Sequence, residues 1–339
     1  MGRDRRGRAG RDDSGRGSRY LSGVIDPPDH PATGDVLLLG PTAGGKTSLA
    51  IALARSLPDG GECIVADSMQ VYRGMAIGTA QPTPPELASV PHHLCGTVDP
   101  SGEAFTVRDW LDRASDAAED IRSRRRSPIL VGGTNLYARA WLEGVFDGPG
   151  RDDGLRAELE TLSSEALAAR LRAVDPPSAE RIHQNDRRRM IRAIEVEAVS
   201  GRRLSDHQAE WGDSIQGRDG VRVLVLDWPT EALNRRINQR VGAMMESGFL
   251  DEVRALRDAG GLGTQAIEAV GYRELLGHLE GRIGLDEAVE QIKIRTRRYG
   301  KQQRTWLRRF LAVPGAVRLD PVDRSPEELA ASAIEALGA

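Results

Sequence analysis

The segment Gly40-Pro41-Thr42-Ala43-Gly44-Gly45-Lys46-Thr47 constrains this chain more than any other. It satisfies the spacing G-x-x-x-x-G-K-[ST], and its flanks supply the context that motif requires. Before it, Val36-Leu37-Leu38-Leu39 is a short continuous apolar run, the pattern of a strand buried on both faces. After it, Leu49, Ile51, Leu53 and Leu57 belong to a helical pattern. In the order strand, glycine loop, helix, consecutive backbone N–H groups can converge on phosphate oxygens without side-chain clash, and the helix start adds a favourable dipole. Gly40, Pro41, Thr42, Ala43, Gly44 and Gly45 are thus the candidate cradle, Lys46 its neutralising cation and Thr47 the candidate ligand of a Mg²⁺ ion. A leaving diphosphate and a nucleoside triphosphate look alike to such a loop, so the motif defines a phosphate site and leaves its occupant open.

Further apolar runs at residues 63–66, 129–131 and 221–226 alternate with helix-length segments such as residues 107–125, which predicts an α/β fold: a P-loop NTPase-like parallel sheet flanked by helices. Residues 143–219 read instead as Ala/Leu/Arg/Glu-rich helical text without a convincing strand, including 155–174 and 187–199, and are expected to form a helical insertion domain. The core would then be 34–142 and 220–339, its second part mostly helical and ending in an amphipathic helix. Residues 1–20 carry seven arginines and three aspartates with almost nothing apolar, so 1–33 is expected to be a disordered arm. With 339 residues, 39% hydrophobic, the chain can build one large core or two modest ones. No run of about 18 apolar residues is present and the arginine-rich start leads into no signal-peptide pattern, so a cytoplasmic protein without membrane contact is expected. Cys63 and Cys95 have neither disulfide nor zinc spacing, and His92 and His93 have no partners at metal-ligand spacing.

An acid, Asp67, closes Ile64-Val65-Ala66, at the strand end where open α/β sheets bind ligands. It could help hold Mg²⁺, act as a general base toward an acceptor, or cap the following segment. Asp227 has the same placement, but Trp228-Pro229-Thr230 follows and it could simply begin that turn. Arg236 and Arg240 lie four residues apart, on one helical face from which either could reach a diphosphate.

A net charge of −3 means that any nucleic acid must be held by a local basic face. Residues 291–310 hold eight Lys or Arg and no acid, with Lys293, Arg297, Lys301, Arg304 and Arg308 along one side and Ile292, Tyr299, Trp306 and Phe310 on the other. The basic side is a candidate phosphate-contacting ridge and the apolar side a docking face. Arg187, Arg188, Arg189 and Arg192 form a second cluster. Reading a base in a folded RNA loop means extruding and stacking it, a role open to Tyr72, Tyr137 or Tyr272, though core packing suits each of them as well.

Asp67-Ser68-Met69-Gln70-Val71-Tyr72-Arg73-Gly74-Met75, then Ile77-Gly78-Thr79-Ala80, Pro91-His92-His93-Leu94, Gly132-Gly133-Thr134-Asn135-Leu136-Tyr137 and Val270-Gly271-Tyr272 follow the phosphate loop in order. In that combination the chain resembles the bacterial tRNA dimethylallyltransferases over residues 35–311. The resemblance implies transfer of a dimethylallyl group from dimethylallyl diphosphate to the N6 amine of the adenosine 3′-adjacent to the anticodon of tRNA, with diphosphate and Mg²⁺ on the loop and Asp67 as base. It further implies that Asp67, Ser68, Met69, Gln70, Thr134, the stretch Arg188, Arg189, Met190, Ile191 and Arg192, residues 267–272 with Val270, Gly271 and Tyr272, and the helix bearing Arg297, Lys301, Arg304 and Arg308 contact or surround the tRNA. A monomer is expected. This chain departs from the pattern at Ala76 and Gln81, where such proteins usually have an acid and a lysine, and at His93-Leu94-Cys95-Gly96. The alternatives are an adenylate isopentenyltransferase acting on free nucleotide, a P-loop small-molecule kinase, and a non-enzymatic RNA-binding switch.

Overall fold

The computed structural model describes residues 24–25, 34–146, 148–210, 212 and 214–338. They divide into two compact units, one of Val24–Ile25 with Val145–Gln208, the other of residues 34–144 and 209–338.

In the larger unit, six parallel strands form one sheet: β2 (Asp35–Leu39), β3 (Gly61–Ala66), β4 (His92–His93), β5 (Ser127–Gly132), β7 (Val221–Leu226) and β8 (Val317–Leu319), in the spatial order β4-β3-β5-β2-β7-β8. The two remaining strands, β1 (Val24–Ile25) and β6 (Val145–Phe146), pair antiparallel in the smaller unit. Every residue of β2 and β3 is buried, because helices cover both faces. The apolar runs of the sequence thus mark the central strands, whereas the short edge strands β4 and β8 carry too few apolar residues to stand out. Helix Lys46–Ser56 packs Leu49, Leu53 and Ala54 into a core shared with Val36, Leu38, Leu224 and the last helix, Pro326–Leu337. Helix Val107–Ser123 starts on a reciprocal cap between Thr106 and Asp109, and its buried Trp110 donates from Nε1 to the Val65 carbonyl at 2.8 Å. Asp35 and Glu62, at the N-terminal ends of β2 and β3, are buried but paired, with Arg122 and with Arg124 and His93 respectively. These acids belong to the sheet's far end and leave its C-terminal edge to the phosphate loop.

Within the range read as insertion, residues 155–174 form two helices rather than one, Asp153–Glu160 and Ser164–Val174, because Ser163 caps the second by accepting from the Ala166 amide at 3.2 Å. With Pro176–Arg181 and Arg187–Ser200 they enclose Leu159, Leu167, Leu171, Met190, Ile191 and Ile194. Two expectations need correction: β6 is a strand inside the range read as strand-free, and Val24–Ile25, read as part of a disordered arm, pairs with it. The rest of residues 1–33 lies outside the described residues. No helix among the described residues is long and apolar enough to cross a membrane.

Candidate active site

The chain between β2 and helix Lys46–Ser56 turns through two left-handed residues, Ala43 at φ 58° and Gly45 at φ 82°. A non-glycine residue there costs about 1–2 kcal/mol, and such strain persists only where its surroundings enforce it. The Gly44 amide closes on the Pro41 carbonyl at 3.1 Å, and a Cβ on Gly44 would lie 2.8 Å from that same oxygen. Arg236 from helix Thr230–Glu246 holds the loop from outside: its Nε donates to the Ala43 carbonyl at 2.9 Å, and its guanidinium stacks on Trp228, whose Nε1 donates to the Gly44 carbonyl at 3.0 Å. The first turn of Lys46–Ser56 has neither side-chain cap nor acid, so no side chain competes there for the free amides of a helix start. Lys46 folds back to donate from Nζ to the Pro41 carbonyl at 2.9 Å. Desolvation lowers its ammonium to about 8, opposed by the charge of Asp67 and reinforced by that of Arg240.

A cavity of about 510 Å³ opens above this loop, lined by Thr42 to Ser48, Asp67, Gln70, Arg236, Arg240, Tyr299 and Gln303 among others. Asp67 accepts from the Met69 amide at 2.9 Å and the Gln70 amide at 3.4 Å, both through Oδ1. The capping role and the ligand-facing position are therefore compatible: one carboxylate oxygen organises the turn and the residue still lines the cavity. Beside it the Ser68 amide donates to Thr134 Oγ1 at 3.0 Å, which fixes the turn after β3 to the turn after β5. Gln70 donates to the carbonyls of Thr79 and Ala80. Asp227 faces Arg318 at 3.6 Å and is not among the cavity's lining residues.

Two of the three departures from the pattern, Gln81 and Ala76, have identifiable surroundings in the structure. Gln81 turns inward and donates to the carbonyls of Gln70 and Tyr72, at 2.9 and 2.7 Å, so an amide closes the loop where a lysine usually stands. Next to Ala76, Glu252 accepts from the amides of Ile77 and Gly78, at 2.7 and 3.0 Å, and from the Tyr272 hydroxyl at 2.7 Å. Tyr272 is fully buried against Phe249, and Gly271, at φ 106°, lies so close that a Cβ would meet Phe249 at 2.6 Å. Val270 is half-buried beside them. Tyr137 stacks on Trp110 with ring centroids 4.5 Å apart, and Tyr72 is buried. None of these three tyrosines presents its ring for base stacking, because each fills the core beneath its motif. Tyr299 does line the cavity, with Gln303 and Thr134 at its hydroxyl, although its sequence pattern placed it on the docking face.

Both basic segments are divided. On helix Leu285–Phe310, Lys301 and Arg308 are exposed, whereas Arg297 donates to Asn238 at 2.6 Å and Arg304 donates to Thr230, both on the neighbouring helix. Lys293 is paired with Glu290. Trp306, expected on the docking face, is exposed and carries Arg309 over its ring. In the smaller unit Arg188 and Arg189 are exposed, Met190 and Ile191 are core, and Arg192 pairs with Glu195, which is fully buried and also bound by Arg156. Met190 and Ile191 thus cannot offer their side chains to an RNA, because they close the helical core. Among the described residues no group of three or more His, Cys, Asp or Glu side chains is placed to hold a metal ion.

Fold and cavity define a P-loop NTPase-like protein in which the glycine loop and a carboxylate share one cavity. The pattern of the IPP transferase family matches residues 70–310, and that of isopentenyl transferases matches 35–94. The tRNA dimethylallyltransferase of Geobacter sulfurreducens is 45% identical over 283 residues, covering 82% of this chain and 90% of that protein. That of Syntrophobacter fumaroxidans is 47% identical, covering 80% of each. Among solved structures, a Bacillus halodurans tRNA isopentenylpyrophosphate transferase is 36% identical, with TM-score 0.63 over 91% of this chain and 97% of that one. A eukaryotic dimethylallyltransferase acting on tRNA gives TM-score 0.74 at 27% identity, over 89% and 78%. The chain belongs to the IPP transferase family and is a transferase.

Proposed function

We propose that this protein transfers a dimethylallyl group from dimethylallyl diphosphate to the N6 amine of the adenosine 3′-adjacent to the anticodon in tRNA. The reading rests on one cavity in which Thr42 to Thr47 of the phosphate loop, two arginines and the Asp67 carboxylate meet, while Gly40 and Pro41 lie outside its lining. As the N6 nitrogen bonds to C1 of the dimethylallyl group, the C1–O bond breaks, its electron pair leaves on the diphosphate, and the N6 proton passes to Asp67. Adenine N6 is almost non-basic, so the proton needs a receiver as the C–N bond forms. The leaving diphosphate needs neutralising charge, which the loop amides, Lys46, Arg236 and Arg240 supply in a partly desolvated setting. Thr47 and the diphosphate oxygens would hold Mg²⁺; a few hard oxygen donors in a phosphate cradle suit an ion that keeps several waters, and when bound it adds positive charge beside the leaving group.

Ser68, Met69, Gln70 and Thr134 surround the acceptor adenosine in this reading. The exposed Lys301 and Arg308, and separately Arg188 and Arg189, contact RNA phosphates. The enzyme acts as a cytoplasmic monomer. Incubation with radiolabelled dimethylallyl diphosphate and either unmodified tRNA or AMP tests the assignment. Label in tRNA alone is expected; label in AMP would make it a free-nucleotide prenyltransferase, and label in neither would overturn prenyl transfer.

A further inference from the structure

Helix Leu285–Phe310 carries one buried uncharged polar residue among its charges, Gln303, which is 2% exposed. Its side-chain amide is used at both ends. Oε1 accepts from the Thr42 amide of the phosphate loop at 2.8 Å, and Nε2 donates to the Gly133 carbonyl, in the turn after β5, at 3.0 Å. The fit is close, since a Cβ on Gly133 would stand 2.4 Å from Nε2 and 3.1 Å from the Gly40 carbonyl. One turn earlier on the helix, Gly300 lets the backbone come down on Ile237, Leu233 and Thr42, where an added Cβ would find contacts at 3.3, 3.6 and 3.9 Å. Tyr299, the next residue back, reaches the cavity and meets Gln303 and Thr134 at its hydroxyl. Three successive inward positions of this helix therefore touch the donor loop or the turn that holds the Asp67 segment through Thr134.

We propose that Gln303 is a positioning residue: its amide locks the phosphate loop to the Gly132–Gly133–Thr134 turn, and thereby sets how well the loop receives the donor's diphosphate. This rests on the reading that the loop holds that diphosphate. The geometry demands an acceptor toward Thr42 and a donor toward Gly133 at once, which an amide provides and an ionised carboxylate of the same shape does not. A carboxylate would face the Gly133 carbonyl lone pairs across a buried contact, whereas a protonated carboxyl could again donate there.

The test compares Gln303→Leu and Gln303→Glu in the full-length protein, measuring KM for dimethylallyl diphosphate, kcat with tRNA, and donor binding to the free protein by calorimetry. Losing a buried hydrogen-bond pair corresponds to about a tenfold rise in donor KM and Kd or more, with kcat at saturating donor within about threefold of wild type. The Glu variant adds a readout that a merely structural role would not move. Its donor affinity is weak near pH 8 and returns toward wild type as the buried carboxyl gains its proton at lower pH, whereas the Leu variant shows no such recovery. If the Leu variant fails to fold, the Glu variant carries the comparison within one protein. Donor KM and Kd within about twofold of wild type in the tested variants, or a Glu variant whose donor affinity has the wild-type pH profile, would overturn the positioning role. Failure of the wild type to bind the donor would instead overturn the underlying reading of the loop.

Discussion

The phosphate loop and the two basic segments are both rich in signals for ligand binding, yet the structure treats them differently. At the loop, every residue from Thr42 to Thr47 lines one cavity together with Asp67, Arg236 and Arg240. In the basic segments the charges part company: Arg297, Arg304 and Arg192 are tied to protein partners, Arg189 is exposed but reaches Asp186 at 3.3 Å, and Lys301, Arg308 and Arg188 are exposed. The loop motif encodes a backbone path, with left-handed residues at Ala43 and Gly45 and a helix start without a side-chain cap, of the kind that suits an anion. A run of arginines encodes only charge, and a long flexible cation satisfies a buried carboxylate or a neighbouring helix as readily as an RNA phosphate.

That contrast can be sharpened by substitution. The largest effect is expected at the loop, where Lys46→Ala should lower kcat/KM for the donor by about 10²-fold or more while leaving tRNA affinity within about threefold. The same lysine gives a pH signature. Because its ammonium is held at about 8 in the free cleft, below its usual 10.5, it is charged below that pH and loses its proton above it. Donor affinity should therefore decline as pH rises beyond about 8, by at most tenfold per unit, and Lys46→Arg should remove the decline. A smaller effect, on stability, is expected at Arg192→Ala, which strips one partner from buried Glu195 and should cost about 1–3 kcal/mol in chemical denaturation. Burial works to raise the Glu195 carboxyl, but hydrogen bonds from Arg156, Arg192 and the Asp152 amide together hold it down to about 2. Its stabilising contribution is present above its unfolded value near 4.5 and lost as pH falls toward 2. Smallest is the change in salt dependence. Replacing Lys301 and Arg308 with Gln should flatten the log–log salt slope of tRNA binding by roughly 0.7 to 0.9 per lost contact. Replacing Arg297 and Arg304 should alter thermal stability more than the slope, and equal slopes for the two pairs would mean that protein-bound and exposed cations meet RNA alike.

What was legible in the sequence was what is local. The strand–loop–helix around Gly40 to Thr47 and the acid closing β3 depend on neighbours in the chain, and both stand where their spacing placed them. The brackets that hold these parts together were not legible. Gln303 reaches Thr42 across 261 residues, and Glu252 caps Ile77 across 175. Neither belongs to a motif whose chemistry calls for a glutamine or a glutamate at that spacing. Tyr72, Tyr137 and Tyr272 sit in recognisable motifs, which left base stacking and core packing both open for their rings. Burial, which a single sequence does not report, decided for packing.

If the cavity's carboxylate takes the acceptor's proton while the loop holds the donor, Asp67 is needed for transfer and not for tRNA docking. Single-turnover transfer from dimethylallyl diphosphate to tRNA by Asp67→Ala, with tRNA affinity measured on the same preparation, tests it most directly. A loss of about 10²-fold or more in the transfer rate is expected, with tRNA affinity nearly unchanged. Retention of more than about a tenth of the wild-type rate would contradict it.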